Sequence, residues 1–594
     1  MTSITNREIP PMLFHPVRKK IVRRVPPEAA VGDLGQEVPE LLGRIYGNRS
    51  IHSARELRRS LSELPSPHLL SGMEAMTLQL EAALRQRKSI LVVADYDADG
   101  ATGCAVAVRG LRALGAGQVS YIVPNRFTGG YGLTPELVES LGEPLPEVLL
   151  TVDNGISHHA GVVAAKKRGM TVLITDHHLP GDTLPPADAI VNPNLPGDRF
   201  PSKTLAGVGV IYYVLGALRA RLRETGWFRS ETAEPNLGQL LDLVALGTVA
   251  DVVPLDHVNR ILVHQGLVRI RAGRCHWGIR ALLEVAGRNL DDLRADGLGF
   301  AVAPRLNAAG RLDDMTLGIE CLLADDPACA RELARRLDTL NRERRTIEGE
   351  MSASAWETLD RCQTQTDASA RAGICMYDPS WHQGVIGILA SRIKDRLHRP
   401  VIAFAPSGDD GLLKGSARSI AGVHIRDVLC TIASRHPGLL HRFGGHAMAA
   451  GLTLAKEHID RFAAVFDATV AASLTGVDLE PTVVTDGELP PEHFHIETAL
   501  LLREAGPWGQ SFPEPLFDGE FEVRNGKVVA ERHVRLNLAV PGSGRRVEGI
   551  AFGVAEPEAW LRCRSVRMAF RLDVNEFRGS RQLQLGIEYM EAMD

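Results

Sequence analysis

Acidic residues end three apolar runs of the sequence. In LVVADYDADG, an apolar run leads into Asp95, Asp97 and Asp99 on alternate positions. VLLTV is followed by Asp153, and TVLIT is followed by Asp176. Short apolar runs of this kind, bounded by turn residues, predict buried β-strands. The sequence therefore predicts several carboxylates, each at the end of a β-strand, where they could bind a cation.

Carboxylates gathered at one place repel one another unless a cation neutralises them. In an open parallel sheet, ligands bind outside the carboxyl ends of the strands, so we expect these acids to converge there. His177 and His178 follow Asp176 directly, and Asp251 follows a predicted helix in LGTVADVVPL, from which a loop can reach the same place. Oxygen ligands with an imidazole suit Mn²⁺ or Mg²⁺ better than a structural zinc. Two such ions, about 3.5–4 Å apart, hold a water nucleophile for in-line displacement at phosphorus.

Length and composition limit the possible classes of protein. A chain of 594 residues is too long for a single core and predicts three or four domains. Lys and Arg number 67 against 72 Asp and Glu, a formal net charge of -5, so any basic surface for nucleic acid must be local. We find neither a long uncharged apolar run nor a signal peptide, and expect a cytoplasmic protein. The eight cysteines form no CxxC pair and predict neither a zinc site nor a disulfide framework.

The pattern along the chain predicts an α/β multidomain protein. From about 88 to 260, β-rich runs alternate with helical segments, which predicts βαβ units and a parallel sheet. Leucines at helical spacing predict one long amphipathic helix over about 326–362 that links two domains. Residues from about 370 to 470 again mix strands and helices, and the C-terminal region alternates apolar and polar positions as in a small antiparallel barrel or sandwich. The basic N-terminal stretch VRKKIVRRVPPE is expected to be a solvated tail or a docking segment.

Eight motifs occur in the order DYDADG, TVDNG, DHH, GTVADVVPL, PRLNAAGR, HQGVIGI, GSARS and FGGHAMAAG. In this order they resemble the DHH phosphoesterase superfamily, and within it the bacterial exonucleases specific for single-stranded DNA. The resemblance implies 5′→3′ degradation of single-stranded DNA to mononucleotides in DNA recombination and repair, with two Mn²⁺ or Mg²⁺ ions per active site. It also implies a parallel-sheet DHH domain, a long connecting helix, a DHHA1-type α/β domain and a C-terminal OB-fold β-barrel.

The resemblance divides the chain into five parts. These are an N-terminal arm over 1–60, a DHH catalytic domain over 61–325, a connecting helix over 326–365, a DHHA1-type substrate-binding domain over 366–475 and an OB-fold domain over 476–594. The implied partners are single-stranded DNA with a 5′ end, a single-strand-binding protein and a RecQ-type helicase. We expect no membrane association and a monomer.

The resemblance also assigns the residues of the active site. Its metal ligands fall on Asp95, Asp97, Asp99, Asp153, His177 and Asp251. Asp153 would bridge the two ions. His178 would face the scissile phosphate, where it stabilises developing charge or protonates the leaving group. Asp176 would orient the neighbouring imidazole.

Nine further residues are assigned to the DNA strand by the same resemblance. They are Arg126, Tyr131, Asn307, Arg311, Ser416, Arg418, Gly444, Gly445 and His446. In GSARS, which we expect to be a Gly-rich turn, Ser416 and Arg418 offer a hydroxyl and a guanidinium to a terminal 5′-phosphate. A proline is expected to make PRLNAAGR a loop over the metal centre. In FGGHAMAAG, the glycines would let backbone amides approach a phosphate and His446 would open a helix. Arg305 fits a structural role equally well, and His382 either reaches the substrate or caps the following helix.

Three functions remain open at this point. The first is an exonuclease on single-stranded DNA. The second is a DHH phosphodiesterase on short oligoribonucleotides or cyclic dinucleotides, although such small substrates need no extended strand-holding surface like the C-terminal barrel. The third is an inactive DHH-fold replication scaffold. The complete set of acids and histidines argues against it.

Overall fold

The structure is a computed structural model of the chain. It describes residues 19–25, 34, 38–125, 132–228, 233–365, 371–408, 411–474, 480–577 and 579–593. The chain forms two compact units: a larger one made of Val25–Asn341 and Leu500–Pro515, and a smaller one made of Met1–Arg24, Arg342–Ala499 and Leu516–Asp594. Within the described ranges, no helix combines the length and the apolar character needed to cross a membrane.

A five-stranded parallel sheet forms the centre of the larger unit. After β1 (Lys20–Arg23), which belongs to the smaller unit, the strands are β2 (Ser89–Ala94), β3 (Gln118–Ile122), β4 (Val148–Val152), β5 (Thr171–Thr175) and β6 (Ala189–Val191). Their spatial order is β3-β2-β4-β5-β6, and every pair is parallel. Consecutive residues of β2 and β4 are buried, because both faces of the central strands are covered. The parallel sheet predicted from the sequence is confirmed.

The described part of the larger unit also contains a series of helices. They are α1 (Glu40–Gly47), α2 (Met73–Arg85), α3 (Ala98–Ala113), α4 (Pro135–Glu139), α5 (His159–Lys167), α6 (Gly207–Glu224), α7 (Leu241–Ala250), α8 (His257–Arg271), α9 (Trp277–Val285), α10 (Ala295–Gly297), α11 (Ala303–Leu312) and α12 (Thr316–Leu323). A π-helical segment, Leu298–Val302, directly precedes α11. The expectation that PRLNAAGR is a loop is wrong. Pro304 directly follows the π-helical segment, and the helical path continues through PRLNAAGR to Leu312 although the proline has no N–H group to donate.

One long helix, α13 (Pro327–Gln365), follows α12, and the boundary between the two units falls inside it. The long connecting helix expected from the spacing of its leucines is therefore confirmed. Its N-terminal part is tied to the larger unit by a buried ion pair, in which Arg305 Nε donates to Asp338 Oδ1 at 2.9 Å. Arg305 is 8% exposed, so the structural role considered for it fits its position.

The smaller unit contains a second five-stranded sheet and a closed barrel. The sheet strands are β7 (Ile374–Tyr377), β8 (Val401–Pro406), β9 (Leu412–Arg418), β10 (Arg442–Gly445) and β11 (Ala449–Ala455), in the spatial order β10-β11-β9-β8-β7. The helices of this part of the chain are α14 (Ile386–Leu397), α15 (Ile425–Arg435) and α16 (Ile459–Ser473). Phe404, Phe462 and Phe466 lie at the centre of its apolar core.

Two expectations about the local structure of this sheet are wrong. GSARS does not form a turn, because most of it lies in β9, where alternate residues are buried and pair with β8 and β11. FGGHAMAAG does not begin a helix, because β10 and β11 form an antiparallel hairpin whose turn contains His446. Small residues allow tight turns and also close strand pairing, and the sequence pattern did not distinguish between them.

The C-terminal region forms a closed five-stranded barrel. After β12 (Thr482–Thr485) and α17 (Ile496–Glu504), its strands are β13 (Phe517–Val529), β14 (His533–Ala539), β15 (Arg546–Ala551), β16 (Ser565–Phe577) and β17 (Ser580–Ala592). They close in the order β13-β14-β15-β17-β16. The predicted barrel is confirmed, although one pair, β15 with β17, is parallel.

Part of the basic N-terminal stretch is a docked strand and not a solvated tail. β1 pairs in parallel with β12. At its end, Arg23 Nη2 donates to Asp518 Oδ2 at 2.8 Å and to Glu488 Oε1 at 2.6 Å. The carboxylate of Asp518 is almost fully buried and also accepts a hydrogen bond from the Thr485 hydroxyl at 2.6 Å. The strand therefore supplies the cation that neutralises a buried acid at the base of the barrel.

Replacing Arg23 with alanine is expected to destabilise the smaller unit, because it leaves the buried Asp518 carboxylate without its cation. We expect a loss of about 1–3 kcal/mol in the free energy of unfolding. Urea denaturation of the full chain measures the loss, and faster hydrogen exchange in β13 assigns it to this unit. Lys20→Ala, in the same strand but exposed, is the matched control. Equal stability of the two variants would contradict the role given to Arg23.

Candidate metal centre

The carboxyl ends of adjacent strands bring the predicted acids together. β2 ends directly before Asp95, β4 before Asp153 and β5 before Asp176. Asp97 is the N-cap of α3, where its Oδ1 accepts hydrogen bonds from the amides of Asp99 and Gly100 at 3.0 Å. Asp251 directly follows α7, as the sequence predicted. The two edge strands, β3 and β6, are the exceptions, because no acid directly follows either of them.

Two groups of three side chains have ligand atoms that all lie within 4.8 Å of one another. These groups are Asp95, Asp97 and Asp153, and Asp99, His177 and Asp251. A third such group contains Asp153, His177 and His178. Asp153 therefore belongs to the first group and lies beside His177 of the second, which is the arrangement expected of a carboxylate shared by two ions.

His177 faces three carboxylates at once. Its Nε2 lies 3.0 Å from Asp153 Oδ1, 3.5 Å from Asp251 Oδ2 and 4.0 Å from Asp99 Oδ2. Carboxylate and imidazole donors in this number form a ligand set for a divalent transition metal or Mg²⁺. The residues present thus fit the two-ion site that the sequence analysis expected.

The N-terminus of α6 holds Asp99 in the centre. Gly207 N donates to Asp99 Oδ2 at 2.7 Å and Val208 N donates to Oδ1 at 3.0 Å, so the carboxylate lies at the positive end of a helix. A Cβ on Gly207 would lie 2.5 Å from Asp153 Oδ1, so only glycine fits there. Gly207 was not among the residues predicted from the sequence. Its signal is a pair of glycines at the start of an apolar helix, in AGVGV.

Asp153 adopts a left-handed backbone conformation, with φ of 63°. A non-glycine residue pays roughly 1–2 kcal/mol for this conformation. The next residue holds it in place, because Asn154 Nδ2 donates to Val93 O at 3.0 Å and to Val152 O at 2.9 Å. The asparagine thereby joins the ends of two strands, and the turn aims Asp153 into the cluster.

Asp176 has a different environment from the other acids. Its Oδ2 accepts a hydrogen bond from Ile156 N at 2.9 Å, and its Oδ1 accepts one from His177 N at 2.7 Å. His178 Nδ1 lies 2.7 Å from the same Oδ1. Asp176 is 1% exposed, so this carboxylate holds the DHH turn and fixes the orientation of one imidazole.

Two asparagines support the DHH turn from the neighbouring strand end. Asn192 Nδ2 donates to His178 O at 2.8 Å, and Asn194 Nδ2 donates to His177 O at 2.6 Å. They belong to NPN, directly after β6. The sequence analysis missed them, although the rule that found the acids, polar residues at the end of a predicted strand, also applies here.

The loop that carries Asp251 is anchored from a distant part of the sequence. Val253 and Leu255 are buried, and Leu255 N donates to Gln510 O at 2.8 Å. Gln510 belongs to the segment Leu500–Pro515, which returns to the larger unit after the chain has passed through the smaller one. The position of Asp251 therefore depends on residues that no local sequence pattern connects to it.

Burial and mutual repulsion raise the pKa values of the clustered acids. Burial raises the pKa of Asp153 and that of Asp251 well above the usual range, and the charge of Asp99 adds to both shifts. Burial and the charge of Asp97 raise the pKa of Asp99 to about 7. A bound cation would remove this penalty, since it favours the ionised carboxylates.

The Asp176 and His178 pair shows the opposite shifts. Burial works to raise the pKa of Asp176, but its hydrogen bond to His178 and the charge of that ring bring it down to about 2. Burial works to lower the pKa of His178, but the hydrogen bond and charge of Asp176 raise it to about 9. At neutral pH this shift favours the protonated form of His178.

Helix α11 packs on the DYDADG turn and places two of the predicted DNA contacts. Asn307 Oδ1 accepts a hydrogen bond from Ala98 N at 2.9 Å, so this side chain helps to hold the turn that carries the acids. Arg311 lies half-buried near the end of the helix. A Cβ on Gly310 would lie 1.9 Å from Tyr96 O, so the helix can approach the turn only with glycine at that position.

In the smaller unit, Ser416 and Arg418 meet at the N-terminus of α14. Arg418 Nη1 donates to Ser416 Oγ at 3.1 Å. A Cβ on Gly387, the second residue of α14, would lie 2.9 Å from both side chains. Just before the helix, Gly384 N donates to His382 Nδ1 at 3.1 Å, so this side chain holds the turn that leads into α14. A guanidinium, a hydroxyl and a helix N-terminus together form an anion-binding arrangement.

The remaining predicted DNA contacts lie in the β10–β11 hairpin or outside the described residues. Gly445 has φ of 142°, and a Cβ there would lie 2.4 Å from Ala449 O, so the hairpin itself requires this glycine. Gly444 is exposed, and His446 N donates to Ala449 O at 2.8 Å across the turn. Arg126 and Tyr131 lie outside the described residues.

Comparison with known proteins places the chain in a family. A family model described as the DHH family, N-terminal domain, matches residues 89–248, the DHHA1 domain matches 371–472 and the RecJ OB domain matches 485–589. The protein named single-stranded-DNA-specific exonuclease RecJ in Dickeya dadantii is 53% identical over 573 residues, which cover 96% of this chain and 98% of that protein. The chain belongs to the RecJ family. The Escherichia coli protein of the same name is 52% identical over 94% of this chain and 96% of its own length.

Solved RecJ structures have the same fold. A crystal structure of RecJ from Thermus thermophilus in complex with Mn²⁺ matches with a TM-score of 0.78 and 32% identity, covering 97% of this chain and 80% of that chain. A second, in complex with Mg²⁺, matches with a TM-score of 0.73 and 31% identity, covering 97% and 79%. The resemblance drawn from the eight motifs, and the fold class that it implied, are confirmed.

Asp153→Asn is expected to stabilise the metal-free protein and to abolish its stabilisation by a divalent cation. At neutral pH the buried carboxyl must either take up a proton or be ionised among like charges, and asparagine avoids both costs. Asparagine also tolerates the left-handed backbone better than most residues. Each kcal/mol of relief should raise the thermal midpoint by about 2–4 °C. Thermal unfolding with and without Mn²⁺ measures both effects. A metal-free variant less stable than wild type, or one that Mn²⁺ still stabilises as fully, would contradict the shared role of Asp153.

The stability of the wild-type protein, measured as a function of pH with and without Mn²⁺, is the control for this variant. Because Asp99 binds its proton more tightly in the folded chain, the metal-free protein should lose stability as pH rises from about 4 to about 7. Mn²⁺ should restore it, and more strongly at pH 8 than at pH 6, because protons compete with the metal for the carboxylates.

Proposed function

We propose that the chain is a metal-dependent 5′→3′ exonuclease that degrades single-stranded DNA to mononucleotides. The observation that carries the proposal is the pair of ligand groups joined by Asp153. Relatives about half identical over nearly the whole chain are named single-stranded-DNA-specific exonucleases. Because RecJ structures of Thermus thermophilus contain Mn²⁺ or Mg²⁺, we assign two ions of this kind to the site.

Each ligand group is assigned one ion. Asp95, Asp97 and Asp153 hold the first, and Asp99, His177 and Asp251 hold the second, with Asp153 shared. Bound ions of this kind supply a water nucleophile at neutral pH and stabilise the leaving oxygen at phosphorus. The protein residues fix the geometry, because strand ends and the N-terminus of α6 hold the carboxylates before the substrate arrives.

His178 is assigned the role of general acid or electrostatic stabiliser. Asp176 fixes its Nδ1, so the proton that the ring can deliver is the one on Nε2. A protonated imidazole can neutralise the developing charge on the scissile phosphate or protonate the leaving oxygen. Asp176 acts through His178 and is a positioning residue in this account.

The 5′ polarity rests on the arrangement at α14. Arg418, Ser416 and the helix N-terminus provide donors for a terminal phosphate, which carries more negative charge than an internal phosphodiester. We further propose that Asn307, Arg311 and the β10–β11 hairpin, with Gly444, Gly445 and His446, contact the strand. Arg126 and Tyr131 are proposed as contacts from the family resemblance alone.

The remaining proposals concern organisation and partners. We propose the domain division given by the sequence, with catalysis in 61–325, substrate binding in 366–475 and strand holding in the OB-fold of 476–594. From the family resemblance we also propose two partners, a single-strand-binding protein and a RecQ-type helicase. A monomeric state and a cytoplasmic location are proposed from the sequence. They stand as proposals.

The function is tested with DNA labelled at its 3′ end, because removal of nucleotides from the 5′ end then leaves labelled products of decreasing length. We expect Mn²⁺-dependent shortening of single-stranded DNA, little cleavage of blunt duplex, and faster cleavage with a 5′-phosphate than with a 5′-hydroxyl. Arg418→Gln should abolish the difference between the two 5′ ends. Cleavage confined to oligoribonucleotides of a few residues would indicate the phosphodiesterase, and no metal-dependent cleavage would indicate the scaffold.

The two adjacent histidines provide a matched pair of variants. His177→Gln should lose both activity and stabilisation by Mn²⁺, because it removes a ligand. His178→Gln should keep the stabilisation but lose about 10²–10⁴-fold in kcat, the usual contribution of a general acid. Thermal shift and steady-state kinetics measure the two effects. Loss of metal stabilisation in both variants would instead make His178 a ligand and contradict its assignment.

A further inference from the structure

Large apolar side chains are unusually exposed next to the metal centre. Among the described residues, four large hydrophobic side chains are more than half exposed: Val25, Leu179, Val252 and Phe300. Three of them adjoin the centre. Leu179 is 59% exposed and follows His178, Val252 is 63% exposed and follows Asp251, and Phe300 is 74% exposed in the π-helical segment beside α7.

The fold alone does not account for Val252. Its φ is 60°, and a β-branched residue in the left-handed region is a rare and unfavourable choice. The loop is held by its neighbours, since Val253 and Leu255 are buried while Val252 points outward. Asparagine or glycine would suit the backbone better. An exposed valine kept in a strained conformation suggests a contact that the isolated protein does not make.

The π-helical segment presents Phe300 in a similar way. Leu298 and Val302 are fully buried and anchor the segment. A Cβ on Gly299 would lie 3.2 Å from Val249 Cγ1, so the segment packs against the last turn of α7, which ends at Asp251. Single π-helical turns are rare and are frequent at functional sites. Phe300 is thus exposed on a segment that packs against the helix leading to Asp251.

We propose that Leu179, Val252 and Phe300 form an apolar rim around the metal centre that packs against the nucleoside of the nucleotide being removed, with Phe300 stacking on its base. This inference rests on the proposed function. The metal ligands account only for the phosphate, whereas the three rim side chains carry no charge and match the apolar faces of a base and a deoxyribose.

The chemistry of the rim also fits the substrate class. Aromatic stacking accepts every base, because each has a π-face, and an exonuclease must remove all four nucleotides. The rim side chains have no hydrogen-bonding groups with which to select one base. A protein partner bound to the same side chains would lie over the residues that hold the metal, so the rim is assigned to the substrate.

The inference is tested by changing Phe300 in the protein and the terminal bases in the DNA, each alone and both together. Wild type and Phe300→Ala are compared on a 5′-phosphorylated single strand and on the same strand with tetrahydrofuran abasic residues at its two 5′-terminal positions. We expect Phe300→Ala to lower kcat/KM about 10-fold or more on the ordinary strand. On the abasic strand, wild type should already be slow and the variant should be no slower. The Mn²⁺-induced thermal shift of the variant should equal that of wild type.

Two further variants make the result specific. Val252→Asn should be at least as stable as wild type, because it relieves the backbone, and yet cut the ordinary strand more slowly. Trp277→Ala removes another exposed aromatic of the larger unit and should leave kcat/KM unchanged.

The inference is overturned if Phe300→Ala cuts the ordinary strand as fast as wild type, or if it loses the same factor on both strands. If the wild type is active and Phe300→Ala gives either of these results, only the proposed rim is rejected. A wild type inert on single-stranded DNA rejects the proposed function and the rim together.

Discussion

The constraint on which the larger unit depends is the confinement of like charges. Carboxylates with strongly raised pKa values are buried within a few ångströms of one another. Such a cluster would disperse if its side chains were free to move, since each gains from reaching water. The surrounding structure prevents this. Strand ends fix the positions of the acids, the N-terminus of α6 holds Asp99, and Asn154 maintains the strained turn at Asp153. The metal-free fold therefore stores an electrostatic cost that divalent cations remove when they bind.

Residues of the same type have opposite pKa shifts a few ångströms apart. Asp153 lies among other carboxylates and holds its proton tightly, whereas Asp176 receives backbone amides and an imidazole and stays ionised. The two histidines divide in the same way, because His177 faces the acids and His178 is held by Asp176. One short turn thus places a candidate metal ligand and an imidazole with a raised pKa side by side. The asparagines after β6 hold the carbonyls of both histidines, which keeps this division fixed.

The predictable part of the site is the part determined by strand ends. An apolar run followed by an acid identifies the strand and its candidate ligand together, and the parallel topology then implies that the acids meet. Gly207 and Gln510 could not be found this way, because they act through a backbone contact that forms only in the folded chain. The predicted local structure of GSARS and FGGHAMAAG was wrong, because small residues permit both tight turns and closely paired strands. β3 carries a weaker sequence signal, because this edge strand is only partly buried and lacks a continuous apolar run.

The central claim is that two divalent ions share Asp153. Anomalous diffraction at the manganese edge, on crystals of the full chain grown with Mn²⁺, tests it most directly. The account predicts two anomalous peaks about 3.5–4 Å apart, with a carboxylate oxygen of Asp153 within bonding distance of both. A single peak, or two peaks with Asp153 bound to only one of them, would contradict the account.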